Sequence, residues 1–378
     1  MNVWPKERTA ILVIHGIGEQ NPFETLDAFA GTFWNVLEDL NEGSFFPGQH
    51  RAVDRGGWVQ NYISIRRNGG KNSAIDLYEY YWAHKVQRQA TFSDIVSWLV
   101  DTSEGARKFY AENEQIAEKY ERDKVVAFED KKFKRHWYLR YLGPLMRIVT
   151  ILPAAVPKKL SWLLAPLVNW FQRKSIDYIG DVVVYTTTDI KSRFFEIRKQ
   201  ILDGAAAELL ALLQDKRYAK VIVAGHSLGS VIGYDALNRM NHAVNLHQVK
   251  PALARKVKGF VTFGSPLDKV AFFFREHTPD DQYLRRQILT HYHSFKAKPL
   301  TEQENPKELG NPFKDYFEHV HWMNFWDRAD LVSGSLDFYR VDENVEFTMG
   351  VKGIAAHLAY WEFRAMYEMV AKKLSMST

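Results

Sequence analysis

The residue whose surroundings best suit chemistry is Ser227, at the centre of Gly225-His226-Ser227-Leu228-Gly229. The apolar run Val221-Ile222-Val223-Ala224 precedes it, and Leu228 to Met240 follows with helical spacing. A serine on a sharp strand-to-helix turn has its hydroxyl raised above the sheet, and small residues two before and two after let neighbouring backbone pass closely. Such a hydroxyl can attack an acyl carbon. The dipole of the helix that starts at Leu228 favours the oxyanion that develops. A glycine-serine turn in an unrelated α/β fold would share the five-residue pattern. The strand before it and the helix after it give the catalytic reading its weight.

An attacked carbonyl needs two backbone N–H donors aimed at its oxygen. Leu228, the residue after the nucleophile, predicts one. The loop after an early strand should supply the other. His15-Gly16-Ile17-Gly18 fits that place, with the Ile17 N–H as the expected donor. Gly16 lets the loop turn in close. His15 is then a positioning residue and not the base.

Where a nucleophile sits on such an elbow, the acid and then the histidine follow it in the chain. Of the histidines after Ser227, only His357 lies beyond a strand-terminal carboxylate and just before a closing helix. The strand 320–326 ends at Asp327-Arg328-Ala329-Asp330, and both aspartates are placed to serve. Asp330 is the expected acid, because the loop must bend back toward the histidine. Asp327 has the usual alternative of a loop aspartate, pairing with Arg328 or nearby backbone. Ser227 then attacks, His357 takes and returns the proton, and Asp330 fixes the imidazole tautomer. His291-x-His293 and His319-x-His321 could each offer two imidazoles to a metal. No carboxylate or third histidine at standard spacing joins them, so the reading is no metal and no cofactor. His226 should point away from the serine hydroxyl.

These residues need a scaffold. Thr9–Ile14 reads as a buried parallel strand and 25–40 as an amphipathic helix. Segments 58–66 and 74–82 are strand-like, with Asn68-Gly69-Gly70 turning between them. Further strands are expected at 181–185, 220–224, 257–263, 320–326 and 345–349, with helices at 192–213, 228–240 and 355–374. Alternation of this kind predicts a mostly parallel sheet covered by helices on both faces. Residues 1–84 and 176–378 would form that core, and 85–175 a largely helical insertion over one end of it. The stretch from His84 to about Lys134 is largely helical in composition.

Composition narrows the classes. The 378 residues hold no cysteine, which excludes a thiol nucleophile, a disulfide framework and a thiolate metal site. The net charge of +5 is spread over 50 basic and 45 acidic residues, without the dense basic cluster expected of a nucleic-acid binder. A mild positive excess suits anionic lipid headgroups better. The chain moves from Met1 straight into a strand, with no apolar signal core. This predicts a cytoplasmic protein able to sit peripherally on the inner face of a membrane.

At the motifs above the chain resembles the lipase branch of the α/β-hydrolase superfamily. Gly225-His226-Ser227-Leu228-Gly229-Ser230 followed by Tyr234-Asp235 is similar to the elbow of bacterial GHSLGS hydrolases and of intracellular phospholipases of the DDHD kind. Asp330-Leu331-Val332-Ser333-Gly334 resembles the acid loop D-P-V-S-G of bacterial relatives, with leucine in place of proline, and this too favours Asp330. Ala356-His357-Leu358-Ala359-Tyr360-Trp361 resembles their histidine segment, and Phe263-Gly264-Ser265-Pro266-Leu267 a loop they place beside the pocket. The resemblance covers roughly 8–40 and 180–365 and omits the insertion. It implies the α/β-hydrolase fold and ester hydrolysis. The metal-associated DDHD signature is not evident, so an esterase is implied more directly than a phospholipase.

Segment 139–171 bears on the substrate. Its charge-free runs 148–157 and 160–171 fall short of the ~20 residues a spanning helix needs. Trp137, Tyr138, Tyr141, Trp162, Trp170 and Phe171 populate or flank it, with Lys131, Lys132, Lys134, Arg135, Arg173 and Lys174 outside. Aromatics with cations beyond them suit a membrane interface. A lipid-touching lid over an acyl pocket is one reading; a cap packed on the core, or a dimer contact, is the other. The expected activity is hydrolysis of lipophilic carboxylic esters through an acyl-enzyme on Ser227. A thioesterase or acyltransferase using the same triad is the first rival. A non-catalytic membrane-interaction protein that keeps the fold is the second.

Overall fold

The computed structural model describes residues 3–16, 21–42, 46–54, 59–67, 73–86, 118, 128–129, 132–133, 193–268, 282–298, 309–330, 332–352 and 354–376. The chain opens with β1 (Thr9–Ile14), α1 (Glu24–Leu40), β2 (Gly48–Asp54), β3 (Val59–Arg66), β4 (Ala74–Tyr80) and α2 (Ala83–Val86). A short antiparallel pair follows, β5 (Phe128–Glu129) with β6 (Lys132–Phe133). Then come α3 (Arg193–Gln214), β7 (Lys220–His226), α4 (Leu228–Asn245), α5 (Pro251–Ala254), β8 (Val257–Phe263) and α6 (Tyr283–Tyr292). The chain continues with β9 (His321–Asp327), β10 (Glu343–Phe347), α7 (Ile354–Ala359), a 3-10 turn (Tyr360–Glu362) and α8 (Arg364–Met376).

Eight strands form one sheet in the order β10-β9-β8-β7-β1-β4-β3-β2. Only β3 runs against the others. The protein is therefore α/β, with a mostly parallel sheet. β1 sits between β4 and β7, and all six of its residues are buried. A strand covered on both faces must be almost wholly apolar, and TAILVI meets that demand after Thr9, whose hydroxyl donates to Glu7 O. Its residues divide between two layers. Ala10, Leu12 and Ile14 join Ile201, Leu209, Val231 and Leu237 of α3 and α4. Ile11 and Val13 join Leu26, Phe29 and Phe33 of α1 and Tyr367 and Val370 of α8.

Three expectations change. Edge strand β2, GQHRAVD, had not been anticipated; it is half-exposed and pairs only with β3. The stretch from His84 to about Lys134 was expected to be largely helical, but within it 128–129 and 132–133 are extended and paired. The single closing helix is broken, because Phe363 adopts an extended backbone (φ −80°, ψ 90°) between the 3-10 turn and α8. The expected strand 181–185 and segment 139–171 lie outside the described residues. Among the described residues no helix is long and apolar enough to cross a membrane.

Candidate active site

A single residue separates β7 from α4, and it is Ser227. Its backbone stands at φ 53°, ψ −128°. A non-glycine residue at such a φ costs on the order of 1–3 kcal/mol and must be held by its surroundings. Here the Ser227 N–H donates to Phe263 O (3.1 Å), and the Ser230 N–H donates to Ser227 O (3.0 Å). The Ser230 hydroxyl also donates to Ser227 O (2.5 Å) and lies 2.7 Å from the Ser265 hydroxyl. Ser230 and Ser265 brace the elbow, a role not read from the sequence. Ser230 sits three residues into a helix start, where serine is common; Ser265 meets it only through the tertiary fold.

The glycines have steric causes. A Cβ on Gly229 would lie 2.2 Å from Ile14 O and 2.4 Å from His15 O. One on Gly225 would lie 2.6 Å from Gly229 O. Both clashes are with backbone, which cannot step aside as a flexible side-chain tip can. A Cβ on Gly16 would lie 2.5 Å from Ser227 Cβ, so the loop after β1 packs directly on the serine. Leu228 begins α4, where N–H groups have no partner within the helix. Ile17, the other expected donor, lies outside the described residues.

His15 is wholly buried. The Trp82 N–H donates to its Nε2 (3.1 Å), so its Nδ1 carries the proton toward Gly16 O (2.8 Å). Its ring stacks on Trp82 at 4.9 Å. Burial, above all, holds His15 down to about 4. It is neutral at pH 7 and fixes the loop that reaches Ser227.

Asp330 and His357 come together across the ends of β9 and β10. His357 Nδ1 lies 2.9 Å from Asp330 Oδ2, and both side chains are buried. The Val332 N–H donates to Asp330 Oδ1 (2.8 Å). Burial pushes the Asp330 carboxyl up, but the hydrogen bond and charge of His357, with Val332 and Ser333, outweigh it. The net direction is down. Asp327 behaves differently. Its carboxylate accepts the Ala329 N–H (2.8 Å) and the Met349 N–H (2.7 Å), stapling the acid loop to the segment before the histidine. Arg328 turns away to Glu346.

His357 lies inside α7, at the start of the 355–374 stretch expected as the closing helix, rather than in a loop. The helix presents its carbonyl to His226, whose Nε2–H donates to it (2.9 Å). The two imidazoles are 4.8 Å apart. The residue before Ser227 thus anchors the residue expected to be its base. His357 Nε2 is buried and has no hydrogen-bond partner among the described residues. Burial, with the neighbouring His357, lowers His226 to about 3.

Three of the other histidines are engaged elsewhere. His319 Nε2 donates to Val257 O (2.9 Å), His321 Nε2 meets Glu343 (2.7 Å), and His293 lies 3.6 Å from Asp235. Among the described residues no group of three His, Asp or Glu is placed to hold a metal ion. The chain matches no family model, no curated protein and no solved structure.

His15 and His226 make stability depend on pH. Both are neutral when folded and titrate near 6.5 when unfolded, falling to about 4 and about 3 in the folded protein. Below 6.5 the unfolded chain binds the extra protons, so stability is highest above that value and declines as pH drops toward 4. Each group contributes a slope of about 1.4 kcal/mol per pH unit, a large share of a typical 5–15 kcal/mol total. Urea unfolding between pH 7.5 and 5 should show this loss, and His226→Asn should reduce its slope by about half. A flat wild-type profile would rule the linkage out.

Proposed function

We propose that this protein is a serine hydrolase of the α/β-hydrolase type that cleaves lipophilic carboxylic esters. Ser227 Oγ attacks the ester carbonyl while His357 Nε2 takes its proton. The imidazolium, balanced by Asp330, returns the proton to the departing alcohol. Water then attacks the acyl-enzyme by the same route in reverse, and the acid leaves. The Leu228 N–H faces the developing oxyanion, with the Ile17 N–H proposed as its companion.

One observation carries this reading: a buried Asp330–His357 pair whose Nε2 has no partner among the described residues, anchored through His226 to a serine held at positive φ. Serine, acid and histidine follow strands β7, β9 and β10 of one parallel sheet, all at the same sheet end, where ligands of open α/β sheets gather. The lipophilic class rests on the aromatic and apolar content of 139–171, which is also the proposed point of membrane contact. A panel of p-nitrophenyl esters of increasing acyl length tests both parts. The expected result is turnover that rises with chain length, together with labelling of Ser227 by a fluorophosphonate. Turnover without chain-length preference would remove the lipophilic class. Absence of both turnover and labelling would remove the hydrolase.

A further inference from the structure

We infer that Tyr360 is a positioning residue for the acid, holding Asp330 Oδ2 against His357 through its phenol hydroxyl. The inference rests on the hydrolase reading of Ser227, Asp330 and His357.

The geometry is economical. Asp330 Oδ1 accepts the Val332 N–H, and Oδ2 lies 2.9 Å from His357 Nδ1 and 3.2 Å from the Tyr360 hydroxyl, with the Ser333 hydroxyl also bonded to the carboxylate. The phenol oxygen accepts the Asp327 N–H (2.8 Å) and lies 3.0 Å from the Ser333 hydroxyl. One oxygen atom therefore ties the start of the acid loop, the acid and the far end of the loop. A phenol has one proton. The Asp330 carboxylate can only accept, whereas the Ser333 hydroxyl can donate to the phenol oxygen, so the phenol proton goes to Oδ2.

A buried tyrosine needs only one acceptor for its hydroxyl. Tyr360 instead gathers three partners from a single loop, and that loop carries the acid. Local structure makes this possible. Residues 357 and 360 are three apart, and α7 tightens into a 3-10 turn at Tyr360. Side chains at that spacing lie on one side, and in a 3-10 turn they eclipse. Both can then reach the same carboxylate oxygen. An unbroken helix through 355–374 would not tighten at this point. The ring is fully buried and packs against Phe263 and His226, and a Cβ on Gly264 would lie 3.1 Å from it, so it cannot swing aside. Burial first, and then the charge of Asp330, keep the phenol protonated far above neutral pH.

The groups that face Asp330 are His357, Tyr360, the Ser333 hydroxyl and, at longer range, His226. The Asp327 carboxylate is turned to backbone N–H groups. Tyr360 therefore withdraws part of the charge that Asp330 would otherwise direct at the imidazole.

Tyr360→Phe keeps the ring and deletes the hydroxyl. The expected result is a fall in kcat on the order of tenfold for a p-nitrophenyl ester, with KM little changed. The acid limb of kcat/KM should move to higher pH, because Asp330 then holds the imidazolium proton more tightly. The NMR resonance of the His357 Nδ1 proton should also shift, with no substrate present. In an Asp330→Asn background the same change should cost almost nothing further. Ser333→Ala, which disturbs packing less, should move the proton resonance in the same direction by less. An equal loss with or without Asp330 would make Tyr360 merely structural and overturn the inference. So would an unmoved proton resonance in either folded variant. A shifted resonance in a protein that hydrolyses no ester would retain the role of Tyr360 at Asp330 and discard the hydrolase.

Discussion

Ser227→Ala is expected to lower kcat for a lipophilic ester on the order of a millionfold, and His357→Ala by a similar factor. The double variant should be no worse than either alone, because nucleophile and base act as one unit. Activity left over would come from the oxyanion donors and substrate binding. The alanine variant should fold. What holds the elbow is backbone and neighbour chemistry: Ser227 N–H to Phe263 O, and the Ser230 N–H and hydroxyl to Ser227 O. None of these bonds uses the Ser227 hydroxyl. The measurement is a burst of p-nitrophenol with mass detection of the acyl adduct. A Ser227→Ala protein that still forms an adduct and turns over at the wild-type rate would end the proposal.

How much of this could be read beforehand follows from which interactions are local. β1, β7 and β8 are β-branched or aromatic runs buried on both faces, so their sequences announce them. The elbow is equally local: both glycines are required by backbone within a few residues or on the adjoining strand. β2 escaped notice because an exposed edge strand needs no apolar periodicity, and GQHRAVD shows none. The break in the closing helix was hidden for a related reason. Nothing in Tyr360-Trp361-Glu362-Phe363 forbids a helix; the interruption is set by tertiary contacts such as the Tyr360 hydroxyl on the acid loop. For the same reason the sequence places Tyr360 in the histidine segment without showing a role for it. The staple from Asp327 to the Met349 N–H spans 22 residues and has no local signature. Sequence could say that two aspartates stood at the strand end, and that the loop had to bend, but not what each would grip.

That pair of aspartates gives the second large effect. Asp330→Asn is expected to lower kcat about 10⁴-fold while leaving the fold intact, the size seen when the acid of a Ser-His-Asp triad is replaced this way. The cause is the tautomer. Asp330 Oδ2 can only accept, so it keeps the proton of His357 on Nδ1 and leaves Nε2 bare, as the proposed base requires. An asparagine can turn its amide N–H toward Nδ1, which drives the proton onto Nε2 and disables the base. Asp327→Asn should do the reverse. Its two carboxylate oxygens serve the Ala329 and Met349 N–H groups, and an amide has one oxygen to offer them. Loss of one such bond costs about 1.5–3 kcal/mol of stability, with the residual rate near wild type. Paired measurements of kcat and urea midpoint on the two variants separate chemistry from scaffolding within one four-residue loop. If Asp327→Asn loses the rate and Asp330→Asn loses only stability, the acid has been placed on the wrong side chain, and the buried contact between residues 330 and 357 is structural.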